Sequence, residues 1–294
     1  MQIDGAIAFM QRDMPGENAG LEDLRRWVDG LGAGSIAPET VEREDIVIGG
    51  IAAAHFHAPG NMAAHAVLYL HGGAYMAGSA TSHGALAALL AAATDMDVLL
   101  PLYRLAPEHP FPAALDDAIA VYLDLVAAGR QVSLAGDSAG GGLALSLALA
   151  IRDRGEIMPA SLSLISPWTD MTLSGASMTE RAAIDPMVTE DALRAAIASY
   201  ATDRPPADPG LSPLFADLEG LPPMLIQVGE RERLRDDAAR LAEKARAAGC
   251  EADYREWPGM IHVWHLFGRH LPESGRAIAE LSTHIRYCLR PPAS

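Results

Sequence analysis

Cysteine is nearly absent from this sequence, which contains Cys250 and Cys288 and no other. Neither belongs to a CxxC pair or to a spacing typical of a zinc site. Isolated thiols of this kind are typical of a reducing compartment, where disulfides are rare. The scarcity therefore predicts two free thiols and argues against a disulfide-stabilised scaffold.

Long apolar runs are also missing. No segment reaches the roughly 18–20 uninterrupted apolar residues that a membrane-spanning helix requires. The N-terminal stretch MQIDGAIAFMQRDM lacks the basic region of a secretory signal, and its apolar part is too short for one. We therefore expect a soluble, cytoplasmic protein with no membrane partner.

Basic residues are outnumbered by acidic ones. Lys and Arg total 22 against 38 Asp and Glu, so the formal net charge is −16 with histidine neutral. Nucleic acids and anionic membranes are bound through clustered Lys and Arg, so this balance argues against both as partners. Half of the 294 residues are apolar, which is enough for the core of one large α/β domain.

Short β-prone runs alternate with longer helical patterns along the chain, as expected of a mostly parallel sheet with crossover helices. The first two runs are almost adjacent and favour an antiparallel hairpin at one sheet edge. The predicted strands are 45–50, 52–58, 66–71, 97–101, 131–136, 161–166, 223–229 and 251–257. The predicted helices between them are 82–95, 112–129, 140–155 and 235–249.

Two regions fall outside this alternation. Residues 1–40 have helical patterns but precede the sheet, and residues 170–215 form a long insertion between two predicted strands. Ligands meet an open α/β sheet beyond the carboxyl ends of its strands. The two regions are therefore predicted to form a cap over a site, with residues 41–294 as the catalytic domain.

The stretch GDSAG at residues 136–140 matches the G-x-S-x-G pattern of a nucleophile elbow. A predicted strand precedes it and a predicted helix follows it, which is the setting that lifts a serine hydroxyl clear of a sheet. Serine is a weak nucleophile at its ordinary pKa and needs a base and an oxyanion hole. Ser138 is thus the candidate nucleophile, with a plain glycine-rich loop as the alternative.

A second glycine motif, His71-Gly72-Gly73, follows the predicted strand at 66–71. Two successive glycines allow the backbone to pass close beneath a ligand and to direct N–H groups at it. Alone, the motif fits an ordinary glycine turn equally well. Its position upstream of the serine motif favours the first interpretation.

These motifs, together with YRLAPEHPFPAALDD, SPWTDMT, LPPMLIQVGERERLRDDA and WPGMIHVWH, resemble the hormone-sensitive-lipase-like esterases, or bacterial family IV, of the α/β-hydrolase fold. The resemblance runs in order from about residue 40 to 285. It is strongest toward a subgroup that includes short-chain carboxylesterases and monoterpene ε-lactone hydrolases. It implies a mostly parallel eight-stranded sheet flanked by helices, with a helical cap.

The resemblance implies the order serine, acid, histidine. His262 matches the family's catalytic histidine, and His265 is the alternative. Alignment of LRDD with the family's usual string puts Glu232 in place of the common aspartate, with Asp236 left as the alternative acid.

The resemblance also implies an oxyanion hole made by the backbone N–H groups of Gly72, Gly73 and Ala139. Ala74 stands where many relatives carry a third glycine. Glu108 belongs to a family string near the active site, and its alternative role is to cap the helix that begins near Ala113.

The implied function is a serine carboxylesterase that hydrolyses small to medium apolar esters through an acyl-enzyme. A lactone hydrolase would use the same acyl transfer, and a different class of alternative is an inactive small-molecule-binding homologue. No cofactor is implied, and no metal, because His55 and His57 have no visible third ligand. Relatives include homodimers and monomers, so a homodimer is one expectation.

Overall fold

The computed structural model describes residues 2–16, 19–57 and 64–289. These residues contain one eight-stranded sheet in the order β1-β2-β4-β3-β5-β6-β7-β8. Strands β1 and β2 pair with their neighbours in antiparallel fashion and the other pairings are parallel. The strands are β1 (Glu42–Ile48), β2 (Ile51–His57), β3 (His65–Leu70), β4 (Asp97–Pro101), β5 (Gln131–Asp137), β6 (Leu162–Ile165), β7 (Met224–Gly229) and β8 (Ala252–Trp257).

Helices connect the parallel strands and cover both faces of the sheet. The α-helices of the described chain are α1 (Ile3–Gln11), α2 (Leu21–Leu31), α3 (Ala80–Thr94), α4 (Ala113–Ala127), α5 (Ala139–Asp153), α6 (Ser177–Glu180), α7 (Glu190–Tyr200), α8 (Arg235–Ala247) and α9 (Pro272–Cys288). Three 3-10 helices cover Gly32–Gly34, Pro213–Phe215 and Trp264–His270.

The predicted α/β-hydrolase architecture is confirmed, including the antiparallel hairpin of β1 and β2 at the sheet edge. The prediction for 97–101 matches β4 residue for residue. Strand β1 begins three residues before its predicted start at 45, because Glu42 to Glu44 pair with β2 although their side chains stay exposed. Ala58, the predicted end of the second strand, lies outside the described residues.

The core consists of two apolar clusters, one on each face of the sheet. Helices α4, α5 and α8 supply the cluster on one face, and α3 and α9 supply much of the other. Strands β4 and β7 are buried along their whole length. Their mostly apolar sequences, interrupted by Asp97 in β4 and Gln227 in β7, follow from this covering of both faces.

The parallel topology brings the carboxyl ends of β3, β5, β6 and β7 to one edge. The long connection from β6 to β7 carries α6 and α7. The Gln11 side chain, at the end of α1, donates a hydrogen bond to Pro186 O in this insertion at 3.5 Å. The two predicted cap regions therefore touch each other. Residues 1, 17–18, 58–63 and 290–294 of the predicted domains lie outside the described residues.

Candidate active site

Ser138 lies on the turn between β5 and α5. Its φ and ψ are 52° and −122°, a conformation that is strained for a residue with a side chain. The turn also needs glycine at residues 136 and 140. A Cβ on Gly136 would collide with Gly140 O, and one on Gly140 would collide with Leu70 O. The serine is partly exposed while its neighbours in the chain are buried, so the predicted elbow is present.

His262 and Glu232 reach this serine from two other loops. His262 Nε2 lies 2.9 Å from Ser138 Oγ, and His262 Nδ1 lies 2.8 Å from Glu232 Oε2. Glu232 follows β7 and His262 follows β8, so neighbouring strand ends deliver both side chains. The structure thus brings the three predicted side chains into one hydrogen-bonded chain.

The hydrogen-bond partners determine where the imidazole carries its proton. An ionised carboxylate can only accept, so His262 Nδ1–H donates to Glu232 and Nε2 is left to accept from the Ser138 hydroxyl. Burial acts to lower the pKa of His262. The hydrogen bond and the negative charge of Glu232 outweigh burial, and the pKa is raised above its ordinary value.

Glu232 is oriented by donors that the sequence did not indicate. Its side chain is fully buried. Oε1 accepts hydrogen bonds from Ser166 Oγ at 2.7 Å and from the Gly229 N–H at 2.5 Å, which leaves Oε2 for His262. Ser166 directly follows β6 and has a φ of 46°, so a strained residue at the next strand end supports the acid.

The alternative candidates have other partners. Asp236 accepts from the Ser177 N–H at 2.9 Å and pairs with Arg235, so it fixes α6 to α8 in addition to lying in the first turn of a helix. His265 is fully buried and its Nε2 lies 2.8 Å from Gln227 Oε1. Burial lowers the pKa of His265 to about 3, so this ring is neutral.

The predicted oxyanion hole needs one correction. The Gly72 N–H donates to Asp137 Oδ1 at 3.0 Å, so it is already engaged. In the described part of the chain, the N–H groups of Gly73 and Ala74 donate to no loop carbonyl, and Ala139 is the first residue of α5, whose N–H has no partner within the helix. The sequence could not distinguish these donors, because the partner of Gly72 comes from another strand.

The backbone after Gly72 has an unusual conformation. Gly73, Ala74 and Tyr75 have φ values of 117°, 55° and 61°. These residues form a tight turn in which the N–H groups of Met76 and Ala77 donate to Gly73 O, and successive N–H groups of a turn can form a concavity that favours an anion. A non-glycine residue in this region costs about 1 kcal/mol or more. Ala74, which replaces the third family glycine, keeps the left-handed backbone in spite of this cost.

A buried polar cluster supports the same loop. Asp137, which precedes the serine, accepts from Tyr69 Oη at 2.8 Å and lies 3.2 Å from His83 Nε2, in addition to holding Gly72. Burial acts to raise the pKa of Asp137, but the neighbouring histidine and the tyrosine hydroxyl lower it overall. One carboxylate thus links the serine turn to the glycine loop.

Glu108 neither touches the three central side chains nor caps α4. Its two oxygens accept from Arg25 Nη1 and Nη2 at 2.7 Å each. Arg25, on α2, also donates to Met76 O at 3.0 Å and to Ala106 O at 3.3 Å. The arginine therefore ties the N-terminal region to the segment that follows the glycine loop.

The predicted absence of a metal site was based on His55 and His57. Their rings lie 5.0 Å apart, and His55 Nε2 lies 3.1 Å from Asp97 Oδ1. Both side chains are partly buried rather than fully exposed. Within residues 2–16, 19–57 and 64–289, no group of three metal-ligating side chains is found. The same residues contain no helix long and apolar enough to cross a membrane.

Comparison with known proteins finds relatives of the same fold, and their names describe hydrolysis of esters. A family model described as the alpha/beta hydrolase fold matches residues 67–266. An acetyl-hydrolase of Streptomyces hygroscopicus is 43% identical over 245 residues, which are 82% of this chain and 82% of the relative. An esterase of Acinetobacter venetianus is 38% identical over 247 residues, 83% of this chain and 81% of the relative.

Solved structures extend the similarity to the whole fold. The crystal structure of an esterase from the bacterial hormone-sensitive lipase family matches with a TM-score of 0.95 and 38% identity over 98% of both chains. The structure of EstE5 soaked with p-nitrophenyl butyrate matches with a TM-score of 0.91 and 40% identity over 97% of both chains.

Proposed function

This chain belongs to the α/β-hydrolase family, among the bacterial hormone-sensitive-lipase esterases, and we propose that it is a serine carboxylesterase for small to medium apolar esters. The observation that carries the proposal is the hydrogen-bonded chain from Ser138 through His262 to Glu232. The names of the relatives, acetyl-hydrolase and esterase, support the same class of substrate.

Acylation begins at the serine hydroxyl. His262 Nε2 takes the proton from Ser138 Oγ as the oxygen attacks the ester carbonyl carbon. The imidazolium that forms is stabilised by Glu232, 2.8 Å from Nδ1. The same imidazolium then donates its proton to the departing alcohol, and an acyl group remains on the serine.

The negative charge on the carbonyl oxygen needs fixed donors. We assign this role to the N–H groups of Gly73, Ala74 and Ala139, because that of Gly72 is bonded to Asp137. Each such donor contributes about 3–4 kcal/mol to transition-state stabilisation in comparable sites. Ala139 is the first residue of α5, so the helix dipole adds to the effect.

Hydrolysis of the acyl-enzyme repeats the steps with water as nucleophile. His262 removes a proton from water as it attacks the acyl carbon, and the proton then returns to Ser138 Oγ as the carboxylic acid leaves. The predicted cap regions, residues 1–40 (described at 2–16 and 19–40) and the insertion at 170–215, touch at Gln11 and Pro186. We propose that they form the cap that limits access of bulk water.

Hydrolysis of a substrate panel tests this proposal. Wild-type protein and Ser138→Ala are assayed with p-nitrophenyl acetate, butyrate and octanoate and with an ε-lactone. We expect turnover of the shorter p-nitrophenyl esters by the wild type and none above background by the variant. Preferred turnover of the lactone would instead identify a lactonase, and absence of all turnover would favour an inactive binding protein.

A further inference from the structure

The loop that carries Glu232 is bonded to the cap insertion as well as to the sheet. Ser166 and Gly229 hold the Glu232 carboxylate from the sheet side. The next residue, Arg233, makes its side-chain hydrogen bonds to the insertion. Its Nη1 donates to Met178 O at 2.7 Å and its Nη2 to Ala182 O at 3.4 Å.

The backbone of Arg233 is held by the insertion on both sides. Its N–H donates to Asp185 Oδ2 at 2.8 Å, and its carbonyl oxygen accepts from Ser177 Oγ at 2.6 Å. The peptide N–H of Arg233 is covalently joined to the carbonyl carbon of Glu232. A displacement of Asp185 is therefore transmitted directly to the acid.

Asp185 is itself held in place by the insertion. Its Oδ1 accepts from the N–H groups of Met187 at 2.9 Å and Val188 at 3.0 Å. One carboxylate thus closes a turn of the insertion with one oxygen and holds the Glu232 loop with the other. The Gln11 side chain contacts Pro186 O in the same turn, so both cap regions meet there.

We propose that Asp185 is a positioning residue for the Glu232–His262 pair, so that the cap insertion is part of the acid's support. The proposal rests on the proposed esterase function. Its geometric basis is the three hydrogen bonds that the Asp185 carboxylate accepts, two from backbone N–H groups of the insertion turn and one from the N–H of the residue after Glu232.

The pKa of His262 gives a readout of Asp185 that is independent of turnover, because the Asp185 charge acts on the imidazole. The acidic groups that act on the imidazole are Glu232 from the loop after β7, Asp137 from β5 and Asp185 from the insertion, and each favours its protonated form. Burial opposes them. Removal of the Asp185 charge should therefore lower the pKa of His262 while Glu232 and Asp137 remain.

The test compares Asp185→Asn with Asp203→Asn, a control at an exposed aspartate of the same insertion. The isosteric amide in Asp185→Asn removes the charge. It also places an NH2 group opposite a backbone N–H from which the wild-type carboxylate accepts a hydrogen bond. We expect kcat with p-nitrophenyl acetate to fall about 10- to 100-fold, because misplacement by about 1 Å costs up to ~100-fold. Reactive enzyme is counted by titration with a fluorophosphonate.

The second readout requires no turnover. The ring nitrogens of His262 are titrated by NMR in 15N-histidine-labelled protein, with the signal assigned by its loss in His262→Gln. We expect a lower midpoint in Asp185→Asn than in wild type and an unchanged midpoint in Asp203→Asn. The acid limb of the kcat profile should move in the same direction.

Both changes are required of Asp185→Asn. An unchanged His262 midpoint overturns the proposal even if kcat and the melting temperature fall, because that pattern describes a structural residue. A shifted midpoint with unchanged kcat per reactive serine also overturns it. If wild-type protein hydrolyses no ester, the proposed function fails separately, and the NMR midpoint still decides whether Asp185 acts on His262.

Discussion

The substitution Glu232→Gln tests the proposed acid without changing its shape. In the wild type, Oε1 accepts from two donors, Ser166 Oγ and the Gly229 N–H. The oxygen of the glutamine amide is expected to stay at that position. The amide nitrogen then faces His262 Nδ1 and donates to it, so the ring proton moves to Nε2. A protonated Nε2 cannot accept the proton of Ser138.

The size of the loss in kcat depends on which of its two orientations the side-chain amide adopts in Glu232→Gln. A flipped amide would aim its NH2 group at the Gly229 N–H and leave that buried donor unsatisfied, at a cost of about 1–3 kcal/mol. The flipped form is therefore a minor fraction. In the serine-protease triad, the equivalent change from carboxylate to amide lowers kcat about 10⁴-fold through the wrong tautomer. We expect a loss of about 10³- to 10⁴-fold here.

The pH dependence of activity should also change in Glu232→Gln, in a direction set by the pKa of His262. His262 acts as a base in its neutral form, so activity rises as pH passes through its pKa. In the wild type, Glu232 raises this pKa, and the acid limb should lie above about 6.5. Without the negative charge of Glu232, burial dominates and the limb should move below that value.

The assay is hydrolysis of p-nitrophenyl acetate from about pH 5 to 9, with Asp236→Asn as the matched control. We expect the control to stay within a few-fold of wild type, because Asp236 bonds to Ser177 and Arg235 instead of His262. A Glu232→Gln variant within tenfold of wild type, beside a large loss in Asp236→Asn, would refute the assignment.

Three further predictions concern the loops and the core. Asp137→Ala frees the Gly72 N–H and should lower kcat about 100-fold, whereas Asp137→Asn should keep most of the activity because its oxygen can still accept the bond. Equal activity of Asp137→Ala and wild type would contradict the role of Asp137 in holding the glycine loop. Arg25→Ala loses the bonds to Met76 O and Ala106 O and should accelerate tryptic cleavage within residues 2–40. An unchanged cleavage rate would contradict the role of Arg25 in holding the N-terminal region. Leu134→Ala, in the middle of β5 and fully buried, should lower the free energy of unfolding by about 2–5 kcal/mol in urea titrations; a change below about 1 kcal/mol would show that the site collapses around the smaller side chain.

Local patterns were sufficient to predict most of the fold. The mostly apolar run predicted at 97–101 is strand β4 and that predicted at 223–229 contains strand β7; both strands are buried along their whole length, and such strands need no polar alternation. Strand β1 was harder to delimit, because Glu42 to Glu44 belong to the strand through backbone pairing alone. Edge pairing leaves no hydrophobic signal in side chains that face solvent.

The predicted site residues are brought together, but their supports were not predictable. Ser138, Glu232 and His262 lie in motifs that a resemblance can identify. The engagement of Gly72 by Asp137 joins residues on β5 and after β3, and the bond from Ser166 to Glu232 joins the ends of β6 and β7. Such contacts depend on register between strands, which a single sequence does not encode in any local pattern.

Detection of the acyl-enzyme tests the central claim most directly. Wild-type protein is mixed with p-nitrophenyl acetate, quenched in acid within one turnover and digested for mass spectrometry, with Ser138→Ala treated in parallel. The account predicts an acetyl group on the peptide that contains Ser138, and none in the variant. Hydrolysis by the wild type with no acetylated Ser138, or with the acetyl group on another residue, would contradict it.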